Sequence, residues 1–244
     1  MILCVDIGNT SIKLARVEGR RVAGLQRIAS RASAREMARA VERVVGPGVT
    51  NAAIASVRPA STGMMRRAVD DALGRAPLVV THRTRLPIEI ATRRPARVGV
   101  DRLCAACGAL PGRARNAIVI DAGSAITVDL VLDRKLTGGL IIPGPQMMLS
   151  ALNHFTAQLP ALRMDPAGGR VDDTAPAMQT GAEIGAAGAI LAAVRFLEDR
   201  AGRRVPVWLG GGHAGLLSPH FPTTWKRSPH LTLLGLADIA RRNP

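Results

Sequence analysis

Aromatic residues are scarce in this sequence, whose 244 residues include three Phe, two Trp and no Tyr. Proteins that hold single-stranded nucleic acid stack the bases on aromatic side chains, so the scarcity argues against that class. Lysine is scarce too, because only three of the 33 basic residues are lysines, and the arginines are scattered along the chain. The formal charge of +15 favours anionic partners. Small anions such as ATP rank first among them and nucleic acid second.

Cysteines and long apolar runs are also few. Three cysteines cannot complete an intramolecular disulfide framework, and Cys104-Ala-Ala-Cys107 lacks the second pair or nearby His of a zinc site. We expect free thiols. No uninterrupted apolar run approaches the roughly 20 residues of a membrane helix. The segment from Met1 to Gly8 is a short apolar run without the basic leader or the small-residue cleavage site of a secretory signal. A globular cytoplasmic protein is the expectation.

Strand and helix patterns alternate along the chain. Ile2 to Ile7 is a short apolar run typical of a buried strand, and Asn51 to Val57 is another. Ser33-Ala-Arg-Glu36 has the form of a capping box and predicts a helix start, while a second helical pattern ends at Gly74. This alternation predicts an α/β fold with a largely parallel sheet and ligands at the carboxyl ends of its strands.

One pattern occurs twice. Asp6-Ile-Gly-Asn-Thr and Asp121-Ala-Gly-Ser-Ala each follow an apolar strand, 115 positions apart (121 minus 6), and each is followed by a second apolar stretch. The repeat predicts a duplicated domain, with halves 1–112 and 113–244 facing each other across a cleft. Pro166 to Pro176, rich in Gly and Asp, is the expected mobile loop.

The two repeated turns have the residues of a phosphate site. A glycine lets backbone N–H groups approach phosphate oxygens, and Asn9, Thr10 and Ser124 add hydroxyl or amide groups. Asp6 and Asp121 are oxygen ligands suited to Mg²⁺. A single Asp-x-Gly is most simply an ordinary turn. Two copies at strand ends favour a functional site.

A third carboxylate lies in Gly99-Val-Asp-Arg102, just before the helical pattern Leu103 to Leu110. Asp101 has the chemistry of a general base for a hydroxyl group, and Arg102 that of a clamp for a carboxylate. A helix-start Asp beside a solvated Arg is the alternative. The residues alone leave both interpretations open.

Other glycine turns and the histidines carry weaker signals. Gly138 to Gly144 and Trp208 to His213 each flank an apolar strand, and either suits a ligand or a plain turn. The five histidines show no metal-ligand spacing, and we assign them no role. Apolar residues spaced helically between Ile184 and Leu197 predict a core helix or part of a dimer contact.

Five motifs together resemble those of the type III pantothenate kinases in order and spacing. They are Asp6-Ile-Gly-Asn-Thr-Ser-Ile-Lys13, Gly99-Val-Asp-Arg102, Asp121-Ala-Gly-Ser-Ala-Ile-Thr-Val-Asp129, Gly138-Gly-Leu-Ile-Ile-Pro-Gly144 and Thr180-Gly181. The resemblance spans nearly the whole chain. It implies duplicated ribonuclease H-like domains of the actin, Hsp70 and sugar kinase superfamily.

The resemblance also implies roles for individual residues. Asp101 is then the proton acceptor, and the chain phosphorylates pantothenate with ATP at the start of coenzyme A biosynthesis. The residues implied to bind ATP are Asp6, Ile7, Gly8, Asn9, Thr10, Ser11, Ile12, Lys13 and Ser124. Those implied to bind pantothenate are Thr92, Gly99, Val100, Asp101, Arg102 and Thr180.

Cations and quaternary structure follow from the same resemblance. It implies a monovalent cation, K⁺ or NH₄⁺, at Asp121, and Mg²⁺ with the nucleotide, for which Asp6 is the candidate ligand. Members of the family are generally homodimers. No membrane partner is expected.

Three residues depart from the family pattern. Thr92 stands where the family usually has a Tyr that contacts pantothenate. Ser124 stands where Thr is usual, and Ile126 where Thr is common. Serine keeps the hydroxyl group, whereas Thr92 loses an aromatic contact with the substrate. The alternatives are another small-metabolite kinase of the superfamily and a non-catalytic or dual-role accessory factor for transcription.

Overall fold

The computed structural model describes residues 1–166 and 168–244. Their contacts separate into two compact units. The first unit consists of Met1–Arg115, Val131–Thr137 and His230–Pro244. The second consists of Asn116–Leu130 and Gly138–Pro229. The C-terminal segment thus packs with the N-terminal residues.

The described residues contain strands and helices in the alternation that the sequence predicts. The strands are β1 Ile2–Ile7, β2 Ser11–Glu18, β3 Arg21–Ala29, β4 Asn51–Ser56, β5 Leu78–Val79, β6 Glu89–Ile90, β7 Ala117–Ala122, β8 Ala125–Leu132, β9 Lys135–Pro143, β10 Val207–Gly210 and β11 Lys226–Arg227. The helices are α1 Ala34–Val44, α2 Pro59–Leu73, α3 Val100–Gly108, α4 Pro145–Phe155, α5 Thr174–Ala201, α6 Ala214–Leu217 and α7 Leu231–Arg241. Two short 3-10 helices lie at Pro95–Arg97 and Ser218–His220.

The first unit is built on a five-stranded sheet of order β3-β2-β1-β4-β5. β1 is antiparallel to β2 and parallel to β4, with Asp6 opposite Ala55 and Ile7 opposite Ser56. Because β1 and β4 run in the same direction, the residues that follow both strands meet at one edge of the sheet. The chain turns back at Gly8 on that edge.

The two helices predicted for this unit are confirmed. Ser33 and Glu36 form the capping box of α1, and the Arg16 guanidinium donates to the Val44 carbonyl at the other end, at 2.7 Å. Helix α2 ends at Gly74, which adopts the left-handed conformation with φ of 61°. The apolar faces of α1 and α2 pack on the sheet, and Met37 of α1 belongs to the core cluster that they form with it. Local sequence signals therefore fix the start of α1 and the end of α2.

Helix α3 begins earlier than the sequence predicted. The pattern placed Asp101 ahead of the helix, but α3 starts at Val100 and Asp101 lies in its first turn. The negative charge of an acidic residue in the first turn interacts favourably with the positive end of the helix dipole. This explains why the helix extends toward Gly99. Its buried residues include both Cys104 and Cys107.

The second unit contains neighbouring strands in the order β11-β10-β7-β8-β9. β10 is parallel to β7, with Gly210 opposite Asp121. The first residues of β9 belong to the first unit, where Glu89 and Ile90 of β6 pair with Lys135 and Leu136. The turn at Asp121 therefore lies beside the turn that follows β10.

Helix α5 is the longest helix among the described residues, and it packs with α4 through Leu149, Met178 and Ala182. Within the described chain it alone is long and apolar enough to cross a membrane, with a mean hydropathy of 1.4 in its most apolar window. Of that window, 44% is buried inside the fold. The helix begins inside the loop predicted over 166–176. Ala167, part of the same loop prediction, lies outside the described residues.

Candidate functional site

Both predicted aspartate turns lie at strand ends. Asp6 is the last but one residue of β1, and Asp121 is the last but one residue of β7. Each is followed within a few residues by the next strand, β2 or β8. Their shared strand, turn and strand geometry confirms the repeated pattern read from the sequence.

The first turn is fixed by backbone and hydroxyl hydrogen bonds. The Gly8 amide donates to the Ser11 carbonyl at 3.0 Å, and Ser30 donates to the Asn9 and Thr10 carbonyls through its hydroxyl and its amide. The Ser61 hydroxyl of α2 in turn donates to Ser30. The exposed face of the turn is therefore held in place before any ligand binds.

Side chains of this turn divide into buried and accessible groups. Ile7 and Ile12 are fully buried in the core, so only their backbone atoms are placed to meet a nucleotide. Asn9 and Thr10 are exposed. Asp6 is 8% exposed, which leaves its carboxylate little contact with water.

Positive charge surrounds the same turn. Lys13 Nζ lies 3.9 Å from Asp6 Oδ2, and Lys13 is opposite Arg27 in the sheet. Partial burial, then the charges of Lys13 and Arg27, lower the pKa of His230 below its usual range. This local field favours anions, as a phosphate site requires.

Asp101 is placed by the start of α3. Its Oδ1 accepts a hydrogen bond from the Arg102 amide at 2.8 Å, and its side chain is half-buried. A side chain at Gly99 would collide with Asp101 Oδ1, so the carboxylate can occupy this position only because residue 99 is glycine. The start of α3 therefore fixes the position of this carboxylate.

Asp6 and Asp101 act on a common neighbour within the first unit. Burial raises the pKa of the Cys104 thiol well above its usual range, and the charges of Cys107, Asp6 and Asp101 raise it further. Both carboxylates therefore lie within electrostatic reach of one buried thiol. A thiol that resists ionisation is a packing group, which argues against redox use of the C-x-x-C motif.

Thr92 carries an unsatisfied hydroxyl. Its Oγ1 is buried and makes no hydrogen bond to any described residue. Buried polar atoms are nearly always paired, so an unpaired one is a candidate contact for a ligand or an ordered water. This is the position where the family resemblance implies a substrate contact.

The second turn is enclosed by two glycine segments. A methyl group at Gly144 would lie 2.5 Å from the carbonyl oxygens of Gly123 and Ser124. At Gly211, with φ of 98°, it would lie 2.5 Å from Asp121 Oδ1. Only glycine permits such close approach of three backbone segments.

His213 is a site residue that sequence reasoning missed. Its amide donates to the Ala122 carbonyl at 2.8 Å, and its Nδ1 lies 3.1 Å from the Gly123 carbonyl oxygen. That contact is a hydrogen bond when Nδ1 carries the proton. The sequence offered only the Gly-Gly-Gly-His turn after a strand, without the β7–β10 pairing that brings it beside Asp121.

Thr180 lies in α5 and is 6% exposed. Its hydroxyl donates to the Arg170 carbonyl at 2.8 Å. The residue sits in the second unit with Asp121 and Ser124, whereas Asp6, Thr92 and Asp101 sit in the first.

A metal ion would have a sparse set of protein ligands. Among the described residues, no three His, Cys, Asp or Glu side chains cluster for a metal. Mg²⁺ in nucleotide sites fits such a setting, because it keeps several waters and binds phosphates with one or two carboxylates. Asp6 and Asp121 are carboxylates of the right kind for that chemistry.

Comparison with known proteins identifies the family. The sequence model of the type III pantothenate kinases matches residues 2–195. The chain belongs to the type III pantothenate kinase family. A type III pantothenate kinase of Frankia alni is 30% identical over 249 residues, which cover all of both chains. Members of this family are kinases, so the enzyme class predicted from the sequence is confirmed.

Solved structures support the fold of this family member. A conserved Campylobacter jejuni protein, assigned provisionally to the Baf family of transcriptional activators, matches with a TM-score of 0.64 at 18% identity, covering 99% of this chain and 98% of that one. A ROK family glucokinase of Streptomyces griseus, solved with glucose and AMPPNP, matches with a TM-score of 0.53 at 16% identity, covering 99% of each chain. The predicted α/β class with duplicated ribonuclease H-like domains is confirmed.

Proposed function

We propose that this chain transfers the γ-phosphoryl group of ATP to the primary hydroxyl of pantothenate. The product is 4′-phosphopantothenate, and the reaction opens coenzyme A biosynthesis. The family match over residues 2–195 carries the proposal. The pre-formed Asp6 turn and the Asp101 carboxylate, both in the first unit, supply the chemistry that the reaction needs.

The proposed ATP contacts are residues of the Asp6 turn in the first unit and Ser124 in the second unit. Backbone amides from Gly8 to Thr10 and the Lys13 ammonium meet phosphate oxygens, and Ser124 contributes from the second turn. The other proposed ATP contacts are Asp6, Ile7, Ser11 and Ile12, where the two isoleucines act through backbone atoms because their side chains are buried. Developing charge on the transferred group is stabilised by these fixed dipoles and by Lys13.

Asp101 is the proposed general base. Its carboxylate accepts the proton of the attacking hydroxyl, which strengthens the nucleophile as the oxygen approaches phosphorus in line. Arg102 binds the pantothenate carboxylate. Gly99, Val100, Thr92 and Thr180 complete the proposed substrate contacts.

Two kinds of cation accompany the nucleotide. Mg²⁺, with Asp6 as its candidate protein ligand, and K⁺ or NH₄⁺ at Asp121 neutralise phosphate charge when bound. The protein residues position the carboxylates for them: β1 and β7 fix Asp6 and Asp121 at strand ends.

We also propose a cytoplasmic homodimer without membrane or nucleic-acid partners. Helices α4 and α5 leave large apolar side chains exposed, of which Phe155, 81% exposed, and Ile184, 57% exposed, are the most open. Burying such a surface against a second copy is favourable. We propose further that the chain consists of two duplicated halves, residues 1–112 and 113–244.

The first experiment is ATP-dependent phosphorylation of pantothenate by the purified protein with Mg²⁺ and either K⁺ or Na⁺. Turnover that K⁺ stimulates and that Asp101→Asn abolishes supports the kinase, its base and its cation. Absence of turnover under both cations removes pantothenate as the substrate. Salt-sensitive retention of DNA without ATP turnover would instead favour an accessory role, which the +15 charge keeps in view.

A further inference from the structure

Arg58 lies beside the first aspartate turn. It follows β4, whose Ser56 is opposite Ile7 of β1, and the Val57 amide donates to the Ile7 carbonyl at 3.1 Å. Arg58 comes directly after Val57, at the edge of the sheet where the chain turns after β1. The residue is thus at the same edge of the sheet as the proposed phosphate contacts.

The backbone of Arg58 is rigidly held. Its amide donates a hydrogen bond to the Ser56 hydroxyl at 3.0 Å. Its carbonyl accepts hydrogen bonds from the Thr62 hydroxyl at 2.9 Å and from the Ser61 amide at 3.1 Å. Pro59 follows as the first residue of α2. The side chain therefore starts from a fixed point.

The guanidinium of Arg58 has an unmet hydrogen-bonding group. Its Nε is buried and makes no hydrogen bond to any described residue, and no carboxylate of the described chain forms an ion pair with it. Two other half-buried arginines of the first unit donate to carbonyls: Arg16 to Val44 and Arg134 to Gly112. An unpaired buried donor is unfavourable unless a ligand completes it.

We propose that Arg58 binds an anionic oxygen of a substrate at the edge of the first sheet. The inference rests on the proposed function, and it adds a binding residue to the Asp6 turn and the Asp101 carboxylate. A phosphate oxygen of ATP and the carboxylate of the acceptor share the chemistry that a guanidinium recognises. Its place at the edge of the sheet that carries the Asp6 turn favours the phosphate.

The test compares Arg58→Met with Arg67→Met. Methionine keeps much of the length of the side chain and removes its charge. Arg67 is an exposed arginine of α2, the helix that directly follows Arg58. Calorimetric titrations with AMPPNP and, separately, with pantothenate measure binding without turnover. Steady-state kinetics then give KM for each substrate and kcat.

We expect Arg58→Met to weaken one of the two ligands about 10-fold to 100-fold, as loss of a charge-assisted contact does, while Arg67→Met stays within about twofold of wild type. Loss confined to AMPPNP identifies phosphate as the bound anion, and loss confined to pantothenate identifies the carboxylate. Arg58→Lys, which keeps the charge but not the fork of donors, should recover part of the affinity.

Two results would overturn the inference. One is unchanged binding of both ligands by Arg58→Met, and the other is a lowered melting temperature with equal weakening of both ligands, which indicates a structural role. If Arg58→Met does not fold, Arg58→Gln decides: it also removes the charge but stays polar, and wild-type affinity for both ligands in that variant contradicts the proposal. If Arg58→Met weakens AMPPNP binding but the wild-type protein does not phosphorylate pantothenate, Arg58 is still a phosphate-binding residue. Pantothenate is then rejected as the acceptor.

Discussion

Gly108 of α3 and Gly235 of α7 face each other so closely that a methyl group at Gly108 would lie 3.0 Å from the Gly235 amide nitrogen. A side chain at Gly235 would also collide with the Cys104 carbonyl. Arg20 adds a hydrogen bond to the Gly108 carbonyl at 2.8 Å. The pair thus fixes α3, whose first turn carries Asp101, against the C-terminal helix.

Replacing Gly235 by alanine should destabilise the protein. The added methyl group meets backbone rather than a flexible side chain, so the helices must separate, at a cost of about 1–3 kcal/mol of unfolding free energy. The matched control is Gly63→Ala in α2, where nothing lies within 4 Å of the new methyl group. That control should be neutral or stabilising by about 0.5–1 kcal/mol. Urea denaturation measures the unfolding free energy of both variants. Equal stability of the two would contradict the close packing of Gly235 against α3.

Asp101→Asn should lower kcat by about 100-fold or more and leave ATP affinity near that of wild type. The amide cannot accept the hydroxyl proton, although it retains the size of the carboxylate. Initial rates and a separate titration with AMPPNP separate the two effects. Near-normal turnover would show that another group serves as the base.

Thr92→Val tests the unpaired hydroxyl. Valine has nearly the same shape, so removal of the buried Oγ1 should leave the melting temperature unchanged or higher. If Oγ1 binds pantothenate, KM for pantothenate should rise about fivefold, equivalent to roughly 1 kcal/mol, while KM for ATP stays constant. A lower melting temperature with unchanged KM would assign the hydroxyl to the fold.

The three cysteines should be unreactive in the native state. Cys4, Cys104 and Cys107 are free and buried, and burial raises the pKa of each thiol above its usual range. A thiol reagent at pH 8 should therefore label none of them before unfolding and all of them after it. Rapid native labelling of Cys104 or Cys107 would reopen the redox interpretation of the C-x-x-C motif.

His230 should titrate below the usual histidine pKa of about 6.5. Partial burial is the main cause, followed by repulsion from Lys13 and Arg27. As pH falls below about 6.5 the unfolded chain takes up a proton that the folded imidazole resists, so this contribution destabilises the fold on acidification. NMR titration measures the pKa. In His230→Asn, stability should fall less between pH 7 and the folded pKa; an identical pH slope would contradict the assignment.

The sequence by itself determined the local features of this protein. The apolar runs ending in Asp-x-Gly predicted both strand ends, Ser33 and Glu36 predicted the start of α1, and Gly74 predicted the end of α2. Each depends on residues within about four positions of one another, where periodicity, side-chain capping and left-handed glycine act directly. The five motifs in order also identified the family.

Tertiary structure alone decided which distant groups meet. The pairing of β4 with β1 places Arg58 beside the Asp6 turn, and the pairing of β10 with β7 places His213 against Gly123. The close approach of Gly108 and Gly235 joins residues more than 100 positions apart. Such contacts arise from sheet register and helix packing, which local propensity does not encode, because they depend on burying the surfaces of several elements at once.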